Sequence, residues 1–165
     1  MTYTPAGLNT RLVWSALDSL IWIGSLVIAT WLRLDFHITD QYWTPLLVGS
    51  GIAVLVHLLV GWAFGPYAVG HELGSFEETS DLSRAAVVAG IVLGVLVLVV
   101  GVADLPRSVP LTGLALAVTG MFASRFTIRS RRTQRAAHTD AARRAIVFGA
   151  GSGGRVLVQS LVRDP

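Results

Sequence analysis

Two sets of residues in this 165-residue chain have types and spacings that could do chemistry. The first is near the C-terminal end. Ala145 to Phe148 is a short apolar run; Gly149, Gly151 and Gly154 follow in G-x-G-x-x-G spacing, and Arg155 to Leu161 then carries apolar residues at helical spacing. In a strand–turn–helix setting, the first glycine permits a tight turn. The second lets a pyrophosphate approach the backbone, and the third lets the helix pack closely on the strand. The helix N-terminus then faces the phosphates with its free N–H groups. A βα turn that binds nothing tightly has the same spelling, so the glycines alone leave both readings open. The second set is Asp18, His57 and Arg125, three ionisable residues lying inside otherwise apolar stretches. Ionisable groups in such stretches normally face a partner or water.

The elements that must position these groups follow from composition. Apolar residues make up 53% of the chain and charged residues 14%, against about 25% charged in soluble domains. The solvent for much of the chain is therefore expected to be lipid. There is no cysteine, which excludes disulfides and thiolate metal sites. There is no lysine either: all thirteen basic residues are arginine. That excludes a lysine base, Schiff base or phosphate clamp from these residues. His37, His71 and His138 show no ligand spacing, so no metal is assigned. Neither a Ser/His/Asp set nor a carboxylate pair suited to acid–base work is found.

Four apolar runs predict four membrane-spanning helices, at about 12–34, 45–65, 84–104 and 109–128. A run of roughly 20 residues rises far enough to cross about 30 Å of hydrocarbon. Backbone groups in lipid must bond within their own segment, which makes the runs helices. Ser75 and Glu78 fit a capping box, predicting a short surface helix ahead of the third span. Residues 1–128 thus read as a four-helix membrane domain, 129–144 as an arginine-rich linker, and 145–165 as the first strand and helix of a truncated Rossmann-like α/β domain. The fold class is mainly α. Seven arginines between Arg125 and Arg144 place both termini on the cytoplasmic side by the positive-inside rule. Trp14 and Trp62 are then expected near the inner interface, Trp31 and Trp43 near the outer one. Arg129, Arg131, Arg132 and Arg135 are expected to meet anionic lipid headgroups. Nucleic-acid binding is not expected, because no aromatic residues are interleaved with the arginines.

In this arrangement Asp18, His57 and Arg125 share one half of the bundle. Asp18 is expected to meet Arg125, with His57 nearby. A structural polar clamp is favoured over a proton or substrate pathway, since no polar series continuing to the outer leaflet is evident in the sequence. Ala86, Gly90 and Gly94 form a small-residue stripe on the third span that suits either internal packing or a homo-oligomer face.

The order of features resembles a known family. Four spans with an early aspartate, the Gly65-Pro-Tyr67 loop, the LPRSVP connection at 105–110, the Ser124 to Phe126 ending, a basic linker and RRAIVFGAGSGGR are similar to the membrane-anchored nucleoside-diphosphate-sugar epimerase/dehydratases of polysaccharide biosynthesis (CapD-like). The resemblance covers nearly the whole chain but only the N-terminal portion of such a protein. It implies a Rossmann-like module after the membrane domain, then a catalytic NAD(P)-dependent domain that dehydrates or epimerises a nucleotide sugar. That domain normally needs a lysine, so the resemblance implies that these 165 residues are inactive alone, and that Gly149, Gly151 and Gly154 form one wall of an incomplete cofactor site. The polyprenyl-phosphate sugar-phosphate transferases also begin with four spans and a Rossmann-like module. A non-enzymatic membrane partner subunit is a third reading.

Overall fold

The computed structural model describes residues 8–64, 67, 76–101 and 104–137, with 151, 153, 154, 156 and 160 near the end. By internal contacts the chain divides into two units, residues 1–127 and 128–165. Four helices account for most of the described residues: α1 (Leu8–Arg33), α2 (Trp43–Phe64), α3 (Phe76–Val95) and α4 (Val109–Ala137). All four are long and apolar enough to cross a membrane. Among the described residues there is no strand. The strand predicted at Ala145 to Phe148 lies outside them.

Packing in the first unit follows residue size rather than polarity. Trp14, Asp18, Trp22, Leu26 and Thr30 recur every fourth residue along α1 and are buried. Ala85, Ala89 and Leu93 do the same on α3, with Ala86 buried beside them, and Ala117, Met121 and Arg125 on α4. This i, i+4 spacing places each set on one helix face. Small residues bring the helices together. A Cβ at Gly90 would lie 2.7 Å from Leu114 of α4, and one at Gly113 would lie 2.5 Å from Leu26 of α1. Together with the α1–α2 and α2–α3 contacts, these approaches close a ring of four helices. Ala86 and Gly90 are thus committed to internal packing. A Cβ at Gly94 would meet nothing within 4 Å.

The outward faces carry the large aliphatics. Leu47, Leu59, Ile91, Val99 and Leu111 are exposed, and no more than 39% of the most apolar window of any span is buried. An apolar exterior of that extent needs a nonaqueous solvent.

Helix boundaries differ from the sequence expectation in two places. The surface helix expected after Ser75 and the third span are one continuous helix starting at Phe76. No proline or glycine lies between Phe76 and Ala89 to break it. It ends in a π-helical turn, Leu96–Val100, closed by Gly101 at φ 70°, whose N–H donates to the Leu96 carbonyl. Only glycine takes that backbone conformation without strain. The arginine-rich stretch is not all linker: α4 continues through it to Ala137. Arg, Gln and Ala are strong helix formers, and no breaker interrupts them. At the other end of the chain α1 stops where Asp35 and Phe36 turn left-handed, at φ 50° and 67°. The Phe36 N–H donates to the Trp31 carbonyl at 2.8 Å, and the Phe36 ring packs edge-on against Trp31.

In the second unit, α4 supplies residues 128–137. Gly151 is an exposed bend, and the described positions after it, Gly153, Gly154, Val156 and Ser160, are helical.

Candidate functional site

The one concentration of buried charge in the described part of the first unit lies where α1 begins, α2 ends and α4 approaches its arginine run. Asp18 is wholly buried and Arg125 nearly so, at 6% exposure. They pair through both ends of the guanidinium: Nη1 donates to Oδ1 at 2.8 Å and Nη2 to Oδ2 at 2.8 Å. The planar fork of arginine matches a carboxylate in this two-point geometry. Nη1 also reaches the Met121 carbonyl, one turn back on α4, at 3.4 Å. The guanidinium lies 4.7 Å from the centroid of the Trp14 ring, one turn before Asp18 on α1. The aromatic face and the carboxylate together replace the water that the cation gives up.

Tyr67 completes the cluster from outside the helices. Its hydroxyl donates to Asp18 Oδ2, and its ring is buried to 1% exposure. The chain turns just past α2 so that the Tyr67 N–H donates to the Gly61 carbonyl at 3.2 Å. The ring lies against Gly61 itself, where a Cβ would come within 2.5 and 2.6 Å of ring carbons. Glycine at 61 is therefore the condition for the tyrosine to fold back into the bundle. Burial, then the Asp18 charge, push the Tyr67 phenol far above its ordinary value. It stays a donor at any ordinary pH. His57, buried on the same face of α2 as Gly61, places Nε2 3.3 Å from the Tyr67 oxygen. Trp22 of α1 stands edge-on to the His57 ring, with centroids 6.2 Å apart.

Asp18, Arg125 and His57 are thus brought together, as the sequence predicted. Two members were not foreseen. Tyr67 was visible only as part of a loop motif; the available signal was a tyrosine directly after a helix-breaking Gly-Pro, at the same end of the bundle as the buried aspartate. Trp14 was expected at the interface but is buried over Arg125. Chemically the cluster is a lock: one carboxylate on α1 accepts from α4 and from the segment after α2. It ties α4 to α1 and the segment after α2.

The glycine set is placed only in part. Gly149 lies outside the described residues. Gly151 is exposed and Gly154 half-buried, and a Cβ at Gly151 or Gly153 would meet nothing within 4 Å. The backbone at Gly151 is open to an approaching group, and helical positions follow it. Arg129 and Arg131 are exposed on α4. The chain matches no protein-family model, no curated protein and no solved structure.

Proposed function

We propose that this chain is the membrane-anchoring part of a polysaccharide-biosynthesis enzyme acting on nucleotide sugars, of the NDP-sugar 4,6-dehydratase/epimerase type. Its place is the cytoplasmic membrane, spanned four times, with both termini in the cytoplasm. One observation carries the reading: the order of four apolar helices, an arginine-rich exit and a strand-like run leading into Gly149, Gly151 and Gly154. Two structural features support it. The helix continues past the apolar span to Ala137, carrying Arg129, Arg131, Arg132 and Arg135 toward anionic headgroups. The open backbone at Gly151 with helical positions after it suits the approach of a nucleotide pyrophosphate, from NAD(P) or from the sugar nucleotide.

In this reading the Asp18–Arg125–Tyr67 lock holds α4 to α1 and to the segment after α2. A bound NAD(P) would supply hydride transfer, and Gly149, Gly151 and Gly154 would hold its pyrophosphate.

The test is to express the complete reading frame of the gene in membranes and assay nucleotide-sugar conversion with NAD(P). The expected frame carries a second glycine-rich nucleotide motif and a Tyr-x-x-x-Lys, and the membranes turn over a nucleotide sugar. A fifth apolar span followed by sugar-phosphate transfer to a lipid would replace this reading with the transferase. A stop codon after residue 165 with no turnover would leave an anchor or partner subunit.

A further inference from the structure

At the end of the bundle away from the buried cluster, α1 finishes in a strained aromatic turn. The helix has 26 residues and rises about 39 Å, against about 30 Å of hydrocarbon and about 40–45 Å with the headgroup layers included. Its last turn therefore falls at the boundary between hydrocarbon and water. There the Phe36 N–H donates to the Trp31 carbonyl, and the two rings meet edge-on with centroids 4.7 Å apart. Asp35 and Phe36 take φ of 50° and 67° to do so. Aspartate tolerates the left-handed region, but a bulky side chain such as phenylalanine is strained there. Such a conformation persists where its surroundings hold it.

The contact with Trp31 leaves most of the Phe36 surface uncovered: Phe36 is 61% exposed and Trp31 44%. Trp43, which opens α2 at the same end of the bundle, is exposed as well. These rings are not an isolated patch. Leu20, Ile23, Ile28 and Trp31 are exposed along α1, and at about 3.6 residues per turn they fall on one stripe. Trp31 ends that apolar stripe, and Phe36 extends it past the end of the helix. The neighbouring exposed residues are polar: Arg33, Asp35, His37 and Asp40. An apolar surface that continues an apolar stripe and is bordered by charge matches the graded polarity of a bilayer interface, where indole rings settle with the ring in the apolar layer and the N–H toward the headgroups. Phe36 has no polar atom in its ring and is the residue that most needs apolar cover.

We infer that the outward faces of Trp31 and Phe36 form a lipid-contact surface, seated in the interfacial layer of the bilayer at this end of the bundle. The partner is phospholipid: the upper acyl segments cover the rings, while Asp35 and His37 face the headgroups and water. Lipid supplies the cover that Trp31 leaves open and holds the Phe36 ring in its left-handed turn. A soluble partner fits less well, because it would have to cover a surface continuous with the one that faces acyl chains. The inference rests on the four apolar helices crossing a bilayer. It holds in either orientation and does not depend on the proposed enzymatic role.

The test uses the full 165-residue chain in phospholipid nanodiscs holding one chain each, so that lipid is the only cover on offer. The chain has no cysteine, and a nitroxide can be attached at Phe36→Cys or at His37→Cys alone. Power-saturation EPR then reads the access of oxygen, which concentrates in lipid, and of a nickel chelate confined to water. The label at 36 is expected to favour oxygen and the label at 37 the nickel chelate. A label at 36 as open to nickel as the one at 37 overturns the inference and leaves the rings to a soluble partner. Should the label disturb the turn, 4-fluorophenylalanine at the six phenylalanines keeps the ring in place. The Phe36 fluorine resonance, assigned by its loss in Phe36→Leu, is expected to shift with oxygen and to ignore a water-soluble gadolinium chelate. Broadening of that resonance by the chelate overturns the inference.

Discussion

Replacing Asp18 by Asn keeps the volume of the side chain and removes its charge. Arg125 then remains at 6% exposure with two donors aimed at a group that can offer only one acceptor oxygen. In either orientation the amide nitrogen faces a guanidinium N–H, so a donor meets a donor. For exposed ion pairs such a change costs about 0–1 kcal/mol, but this pair is screened by neither water nor salt. Breaking a buried pair by removing one partner costs about 3–5 kcal/mol. Lipid reduces that figure, because helices that separate within a bilayer find other partners, and single polar contacts there average about 0.6 kcal/mol. Two bonds of 2.8 Å and a third from Tyr67 are affected here, which places the expected loss at about 3 kcal/mol. Asp18→Asn with Arg125→Gln removes the stranded charge and leaves two amides able to pair. The double variant should be more stable than the sum of the singles by about 2 kcal/mol. The assay is equilibrium unfolding in mixed micelles, titrating a denaturing detergent into a mild one and following tryptophan fluorescence; Trp14, against Arg125, reports on the site itself. A loss under about 0.5 kcal/mol in Asp18→Asn, or strict additivity in the double variant, would refute the reasoning.

Three further outcomes are expected. Gly61→Ala puts a methyl group 2.5 Å from the Tyr67 ring and should destabilise by about 1–3 kcal/mol through overpacking. Gly24→Ala, which meets nothing within 4 Å, should stay within about 1 kcal/mol of the parent or gain; the same unfolding assay separates the two. The Tyr67 phenol is raised above its ordinary 10.0, so above that pH the folded chain holds a proton that the unfolded chain has released. The stability of the parent relative to Tyr67→Phe should be constant below about pH 10 and fall above it by up to about 1.4 kcal/mol per pH unit; a flat difference through pH 11 in the unfolding assay would contradict this. The absence of cysteine makes single-cysteine labelling clean. In intact cells His37→Cys should react with an impermeant maleimide, and Arg131→Cys should react only after the membrane is opened.

The unequal legibility of the cluster has a physical origin. Asp18 and Arg125 could be paired from the sequence because both are costly in lipid, opposite in charge and at matching depth. Tyr67 is outside every span, and nothing in its own neighbourhood demands burial. Its place depends on space left by a glycine six residues earlier, on a helix whose sequence reads equally well with any small residue at 61. Trp14 reads as an interfacial residue because its rank in the span is all that sequence provides. Its contact with Arg125 depends on how α4 is rotated against α1, and the close approach at Gly113 and Gly120 helps to set that rotation.

The sequence by itself determined the number and approximate limits of the apolar helices. In lipid each segment must satisfy its own backbone, and both the apolar run and its hydrogen bonds are local along the chain. It also determined that the helix could run on through the arginines, since no breaker interrupts 129–137. Tertiary structure alone decided which face of each helix turned inward. Almost every residue of the spans is apolar, so polarity carries little directional signal and the small residues choose the contacts. It alone brought Tyr67 to Asp18, because the room beside Gly61 that the ring occupies is a property of the folded chain and of no local run of residues.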